Sequence, residues 1–303
     1  MATDQIAELI ANELRSPIGP AAGAMAEHCR KRHEQAAIAV LFYGSCLRQP
    51  DQVFKDALLD FYVIVDDYVG AYGSALLALA NTVLPPNVFY VEIPWEDGHL
   101  RAKYAVMSLD QFAAACGQSA ENVSIWARFS QPARLVWRLN SAVESALTAA
   151  LADACRTMFR NARPLVEGEK ASDPIAIWQE GFKATYGAEL RSEKEDRALA
   201  IVAVDEERYR RLGNALLGEV SGAIVSRADA LRHWRRRGRL GKRLNYLRLI
   251  KAAFTFDGAI DYVMWKVRRH SGVEVQVSEW QRRHPLLAAP SLAWKLYRAG
   301  AFR

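Results

Sequence analysis

Gly44 and Ser45, with Asp60 fifteen positions further along, are the residues whose types and spacing could do chemistry. The pair closes the apolar run in "AIAVLFYGSCLRQP", Ala37 to Pro50. Gly44 can take a positive φ, and Ser45 offers a hydroxyl and a backbone N–H to whatever sits above a strand end. A strand-terminating turn is one reading, a phosphate cradle the other. Asp60 stands in "LLDFYVIVDDY", within a run otherwise apolar or aromatic as far as Val65. A carboxylate among Leu58, Leu59, Phe61, Val63 and Ile64 must face water or a metal, because a buried unpaired charge is expensive. Opposite a Gly-Ser turn it suits nucleotide transfer. The turn would bind a triphosphate and the acid would hold Mg²⁺, which neutralises phosphate oxygens during in-line attack. The plainer alternative is a strand-end carboxylate satisfied by an arginine or a backbone N–H.

Those residues need strands to carry them. "IAVLFY" (38–43), "LLDFYVIV" (58–65) and "VFYVEI" (88–93) are short, apolar and rich in β-branched and aromatic residues. "LRAKYAVM" (100–107) predicts a fourth strand, followed by a helix that Ser108 can cap. "AYGSALLALANTVL" (71–84) has helical composition and stops at Pro85-Pro86. The N-terminal "MATDQIAELIANELRS" predicts an amphipathic helix with Ile6, Leu9, Ile10 and Leu14 on one side. Beyond about residue 135 strand signals become scarce and helical stretches dominate. The expected fold is α+β, an α/β core followed by a mostly helical C-terminal half. The divisions drawn on this basis are residues 1–135, 136–230 and 231–303.

"YGS" followed by "LLDFYVIVDD" resembles the mitochondrial matrix-side phosphatidate cytidylyltransferases and their bacterial relatives, which have a nucleotidyltransferase fold. That family pairs a glycine-serine turn with an "hDFhhxVDD" strand, as at Asp60-Phe61 and Val65-Asp66-Asp67 here. A Lys-Tyr-Gly-Val-like segment is matched by "KYAVMSLDQF" (103–112), and a "W…GR…KPV"-like segment loosely by "SIWARFSQPARLVW" (124–137). Order and spacing agree over roughly residues 38–138. The resemblance implies a nucleotidyltransferase-like core and a CTP:phosphatidate cytidylyltransferase making CDP-diacylglycerol and pyrophosphate with Mg²⁺. It implies Tyr43, Gly44, Ser45 and Arg128 for the nucleotide and Asp60 for catalysis and the metal. Lys103, next to Tyr104 on the fourth predicted strand, is the candidate for phosphate contact and catalysis ahead of any histidine, the alternative being a solvated edge-strand lysine.

The sequence departs from such enzymes in two places. Tyr62 occupies the position where many nucleotidyltransferases carry a second carboxylate. Asp66 shares its strand face by parity, but an extended strand would put it about 20 Å from Asp60, and it is expected to end the strand. Asp56 could reach the metal from the preceding turn. Gln131-Pro132 replaces the family's Lys-Pro pair, leaving Arg128 or Arg134 to supply the basic contact.

Composition narrows the remaining classes. Four cysteines lie far apart with no metal spacing, which fits a reducing compartment and argues against a disulfide scaffold or a structural zinc site. The six histidines form no metal spacing and no triad, and surface or satisfied core roles are expected for them. The net charge of +6 is divided unevenly, because the 73 residues from Leu231 carry 17 Lys/Arg against 4 Asp/Glu. "LRHWRRRGRLGKRLNYLRLIK" (231–251) holds nine of those cations, with Trp234, Leu240, Leu244 and Leu247 at roughly helical intervals. "LAWKLYRAGAFR" interleaves Trp294, Tyr297 and Phe302 with Lys295, Arg298 and Arg303. Basic groups beside amphipathic aromatics suit an anionic lipid surface, although aromatics at such spacing also pack into helical cores. The expectation is a cytoplasmic protein, peripheral on the inner face of a membrane, with CTP and phosphatidate or a related anionic lipid as partners. No zinc-finger or RNA-recognition signature points to nucleic acid. A different phosphorylated acceptor, or a non-catalytic lipid- or nucleic-acid-binding module, are the alternatives.

Overall fold

The computed structural model describes residues 4–49, 54, 57–188, 195–219, 225–255, 259–273, 275–283 and 285–298. Its centre is a five-stranded mixed sheet in the order β3-β4-β2-β1-β5. The strands are β1 (Ala37–Tyr43), β2 (Leu58–Val65), β3 (Asn87–Trp95), β4 (Gly98–Ser108) and β5 (Ala133–Arg138). β2 and β4 are parallel; every other neighbouring pair is antiparallel. β1 is buried along its whole length, as befits a strand covered on both faces. Along β2 the alternation is clean: Leu59, Phe61, Val63 and Val65 enter one core cluster, and Tyr62 and Ile64 enter the other.

Helices cover both faces. On the first, α2 (Pro20–Lys31) and α3 (Tyr68–Tyr72) contribute Met25, Cys29 and Tyr68 to the layer under Phe61 and Val63. On the second, α1 (Gln5–Leu14), α5 (Leu109–Cys116), α6 (Trp126–Phe129) and α7 (Ser141–Ala162) share one cluster with Tyr62 and Leu41. That cluster continues without a break into α8 (Pro174–Ala188), α9 (Glu195–Ala203) and α10 (Glu206–Glu219), where Trp178, Phe182 and Tyr209 pack together. The sheet and the helical half therefore share one core. Ile6, Ile10 and Leu14 of α1 are buried, as their spacing requires.

Two local expectations are corrected. The helical stretch 71–84 is broken: α3 ends at Gly73, whose φ of 58° is left-handed, and α4 (Ala75–Val83) restarts with Ser74 accepting from the Leu77 N–H. The edge strand β5 lies where no strand was anticipated and spans position 135. Its sequence, "ARLVWR", is flanked by arginines and its interior is only half-buried, which weakens the apolar signal.

The long helix α11 (Arg227–Thr255) straps the helical half to the sheet. Trp234 is buried in the main core and donates its indole N–H to the Asn161 carbonyl at 3.0 Å. Of the two readings for the basic region's aromatics, Trp234 follows the core one. At Gly241 the strap passes so close to α8 that a β-carbon would stand 2.6 Å from the Ala188 carbonyl oxygen. At its far end Arg248 donates to the Pro85 carbonyl at 2.8 Å, and Lys251 donates to the carbonyls of Leu84 and Pro86. Beyond it, α12 (Ala259–Ser271), α13 (Glu279–Arg283) and α14 (Pro285–Arg298) form a small outer layer whose own core includes Ile260, Ala288 and Leu292.

Candidate functional site

Strand register brings three of the sequence-predicted residues, Tyr43, Asp60 and Lys103, into one row with Tyr90. Tyr43 of β1 pairs with Asp60 of β2, Asp60 with Lys103 of β4, and Lys103 with Tyr90 of β3. Directly paired residues point to the same side of a sheet, so Tyr43, Asp60, Lys103 and Tyr90 line up across four strands on the face toward α11 and α12. Lys103 Nζ lies 3.5 Å from Asp60 Oδ1, and both side chains are partly open to solvent. Of the two readings for Asp60, part of the plainer one is realised: the carboxylate has a basic partner, which is a lysine from the neighbouring strand.

Gly44 follows Tyr43 with φ 94° and ψ −167°, a conformation essentially confined to glycine. It has a second reason to lack a side chain, since a β-carbon there would stand 3.1 Å from Asp60 Oδ2. The turn is folded directly against the acid. Ser45 opens a short 3₁₀ turn (Ser45–Arg48) and is exposed, and the Leu47 N–H closes that turn on the Gly44 carbonyl at 3.2 Å. Cys46 is buried behind it, and burial, then the Asp60 charge, pushes its thiol up to about 11. It is a packing residue, not a nucleophile.

Asp56 lies outside the described residues. The other two acids of the resemblance lie past the far end of β2. β2 ends at Val65, and the Asp66 N–H donates to the Ala36 carbonyl at 2.9 Å. Asp67 caps α3 by accepting from the Gly70 N–H at 2.7 Å. The pair thus ends the strand and starts a helix, at the opposite end of β2 from the Gly44 turn. Among the described residues no group of three or more His, Cys, Asp or Glu side chains could hold a metal ion. A lone carboxylate is compatible with Mg²⁺ where substrate phosphates and water supply the remaining ligands, which is the usual way this ion is held.

Arg128 reaches the same face from α6. It donates to the Tyr62 hydroxyl at 3.2 Å, and its guanidinium lies 5.5 Å from the centre of the Tyr43 ring. Arg134 lines a different cavity, against α1 and α10, so of the two candidates for the missing Lys-Pro contact only Arg128 joins the site.

Two cations that sequence reasoning left in the general basic tail complete the site. A cavity of about 330 Å³ lies between the sheet face and α11, lined by Tyr43, Tyr62, Lys103, Arg128, Arg248 and Lys251 among others. Among the described residues its lining contains four cations and no acid. Burial, and then the neighbouring Arg248, bring the Lys251 ammonium down to about 8. The available signal was the three-residue spacing of Arg248 and Lys251, which puts both on one side of a helix. On the other flank Tyr262 of α12 packs on Tyr90 with ring centres 5.7 Å apart, and burial followed by the Asp60 charge raises its phenol. Asp60 is therefore roofed by the basic C-terminal helices.

His33 is buried, with Nδ1 2.8 Å from the Ala71 carbonyl oxygen and Nε2 3.1 Å from the Tyr104 hydroxyl.

No protein-family model matches the chain, and no curated protein matches it.

Proposed function

We propose that the chain is a nucleotidyltransferase, with a nucleotidyltransferase-like core, that transfers the cytidylyl group of CTP to the phosphate of phosphatidate at a membrane surface. The observation that carries the reading is the glycine-only turn at Gly44 held against Asp60, with Lys103 beside the acid and Arg128 on the same face. A turn of this form offers backbone N–H groups to a triphosphate. An acceptor phosphate oxygen attacks the α-phosphorus, the bond from that phosphorus to the bridging oxygen breaks, and pyrophosphate leaves. A phosphate monoester is already anionic near neutral pH, so the chain needs to position it and offset charge more than to remove a proton. Lys103 and Arg128 do this for phosphate oxygens, and Tyr43 lies under Arg128. Mg²⁺ bound by Asp60 and the nucleotide would neutralise charge on the phosphates.

The choice of CTP and of a lipid acceptor rests on the resemblance and on the charge of residues 231–303. Exposed aromatics support a surface-bound state: Trp294 and Tyr297 of α14 stack on each other with Lys295 and Arg298 on the same helix. No helix among the described residues is long and apolar enough to cross a membrane.

A second reading, a phosphate- or lipid-binding protein without turnover, is favoured by one observation: Lys103 sits beside Asp60, the acid that would hold the metal, at 3.5 Å. Pyrophosphate release with CTP, Mg²⁺ and phosphatidate vesicles separates the two. CTP-dependent and phosphatidate-dependent release, lost in Asp60→Asn, supports the transferase. ATP, GTP and UTP test the base, and glycerol 3-phosphate tests the acceptor. No release with any nucleotide, from folded protein that still binds vesicles, supports the second reading.

A further inference from the structure

A second cavity, of about 520 Å³, lies where α2, α12 and α13 meet strands β3 and β4, and its size is ordinary for a small-molecule site. Tyr90 lines it, and the row Asp60–Lys103–Tyr90 puts it two strand spacings, about 10 Å, from the acid. A nucleotide whose α-phosphate meets Mg²⁺ at Asp60 covers that distance through its ribose. One same-face step along the strands, Arg101 pairs with Leu58 on one side and with Glu92 on the other. That row is level with the Gly44 turn, since the Cys46 thiol just beyond it donates to the Leu58 carbonyl at 3.4 Å.

The lining suits a nucleobase. Tyr90 and Val91 of β3 and Met264 and Trp265 of α12 supply apolar surface from two elements. Beside them Glu92 is a fixed acceptor. Arg101 donates to it twice, through Nε to Oε2 at 3.2 Å and through Nη2 to Oε1 at 3.0 Å, and the Tyr90 hydroxyl donates to Oε2 at 3.1 Å. A carboxylate has about four acceptor sites, so these three donors leave room for one more. The Arg101 side chain is only 10% exposed and that of Glu92 34%, so the acid is the open member of the pair. The other acid of the lining, Asp261, is held by Arg282 at 2.9 Å in a more exposed bridge, and Arg32 and Arg268 have contacts of their own.

We propose that this cavity is the nucleobase subsite of the donor, and that Glu92 selects cytosine by accepting a hydrogen bond from its exocyclic amino group. Uracil presents a carbonyl oxygen at the same ring position. Two acceptors then face each other with no proton between them, and the buried carboxylate oxygen loses a partner. Arg101 is a positioning residue, because its two parallel bonds fix the direction in which the carboxylate points. Met264 and Trp265 contact the ring without telling one pyrimidine from the other.

That the ligand is a nucleotide rests on the proposed transferase reading. Titration calorimetry of the full chain with CTP and with UTP, in Mg²⁺ and without lipid, reads binding apart from turnover. CTP is expected to bind at least about tenfold more tightly than UTP, and Glu92→Gln, whose amide can also donate to a carbonyl, to bring the two within about threefold. Trp265→Ala should weaken both by about tenfold and keep their ratio. The ratio is the deciding readout, because a variant that merely loosens the fold weakens both nucleotides alike. Equal affinity for CTP and UTP in the unaltered chain, or a ratio unchanged in Glu92→Gln, overturns the subsite. CTP-dependent pyrophosphate release with either of those results leaves the transferase reading standing without it. Selective CTP binding that Glu92→Gln removes, with no pyrophosphate release in the presence of phosphatidate, supports the subsite and sinks the transferase. Binding of neither nucleotide overturns both.

Discussion

Gly44 packs against Asp60 so closely that a side chain at position 44 would meet the carboxylate. A β-carbon on the glycine would stand 3.1 Å from Asp60 Oδ2, and the backbone there has a φ of 94°. The turn's shape and the acid's position are one structural unit, set where Tyr43 and Asp60 face each other across β1 and β2.

Gly44→Ala consequently combines two penalties, backbone strain and a close contact with a carboxylate. Strain in this region is worth about 1–3 kcal/mol. The variant is expected to unfold at lower urea concentration by that amount, measured from the midpoint shift at unchanged slope. It is also expected to lose pyrophosphate release by more than the stability change explains, because the N–H groups of the turn are displaced. Wild-type stability in Gly44→Ala would refute the strained turn.

The strands around the site were legible because each is an apolar run bounded by turn residues. β2 occupies the expected span, and the parity that puts Asp60 opposite Phe61 also predicts its face. What could not be read was pairing. That Lys103 stands beside Asp60 depends on β2 and β4 running parallel in one register, with β3 between them in sequence but at the sheet's edge in space. Arg248 and Lys251 stayed hidden for a related reason. A basic helix has the same appearance in sequence whether its charges face solvent, a lipid headgroup or a cavity, and the face of α11 that turns inward is fixed by tertiary contacts, Trp234 on Asn161, Gly241 against Ala188 and Arg248 on Pro85. The "VDD" segment shows the converse: Asp67 matches a motif yet serves as a helix cap, and Asp66 lies exposed just past the strand end.

The helical half is tied to α1 through Arg208, and that tie should be costly to cut. Arg208 donates through Nε to Glu13 Oε1 at 2.5 Å, through Nη2 to Oε2 at 3.0 Å, and through Nη1 to the Ser130 carbonyl at 3.0 Å. Its side chain is only 8% exposed and that of Glu13 21%. Arg208→Met leaves the Glu13 carboxylate largely buried without this partner, a situation that costs about 3–5 kcal/mol. Glu13→Gln with Arg208→Met should recover part of that loss, since the orphaned charge is then gone. A double-mutant cycle in urea checks both; additivity of the two changes would contradict a coupled pair.

Acid should destabilise the protein through His33 before the carboxylates titrate. Burial lowers the His33 imidazole below its ordinary value, near 6.5 in an unfolded chain. The unfolded state therefore binds the proton more readily, so stability is fully present above about pH 6.5 and falls as pH drops below it, until the folded-state value is passed. His28 shifts in the same direction, also chiefly through burial, so the test is a comparison. The urea midpoint of wild type should fall between pH 7.5 and 5.5, and that of His33→Gln should fall by less. Parallel curves would show that His33 does not supply the acid sensitivity.

Exposed side chains of α14 set the expectation for lipid binding. Trp294 is 62% and Tyr297 66% exposed, and they lie on a helix whose last turn holds Lys295 and Arg298. α4 also presents an apolar ridge, Leu76, Leu79 and Val83, but carries no charged residue. A basic group at an anionic surface is worth about 1 kcal/mol, so the α14 face should prefer anionic bilayers and lose that preference as salt rises. Co-sedimentation with phosphatidate-containing vesicles is expected to exceed that with pure phosphatidylcholine by tenfold or more at low salt. Trp294→Ala with Tyr297→Ala should weaken it several-fold, while Leu76→Ser with Leu79→Ser should leave the anionic preference intact. If the α4 changes abolish binding and the α14 changes do not, the membrane-facing surface is the uncharged ridge, and the aromatics of α14 have another partner.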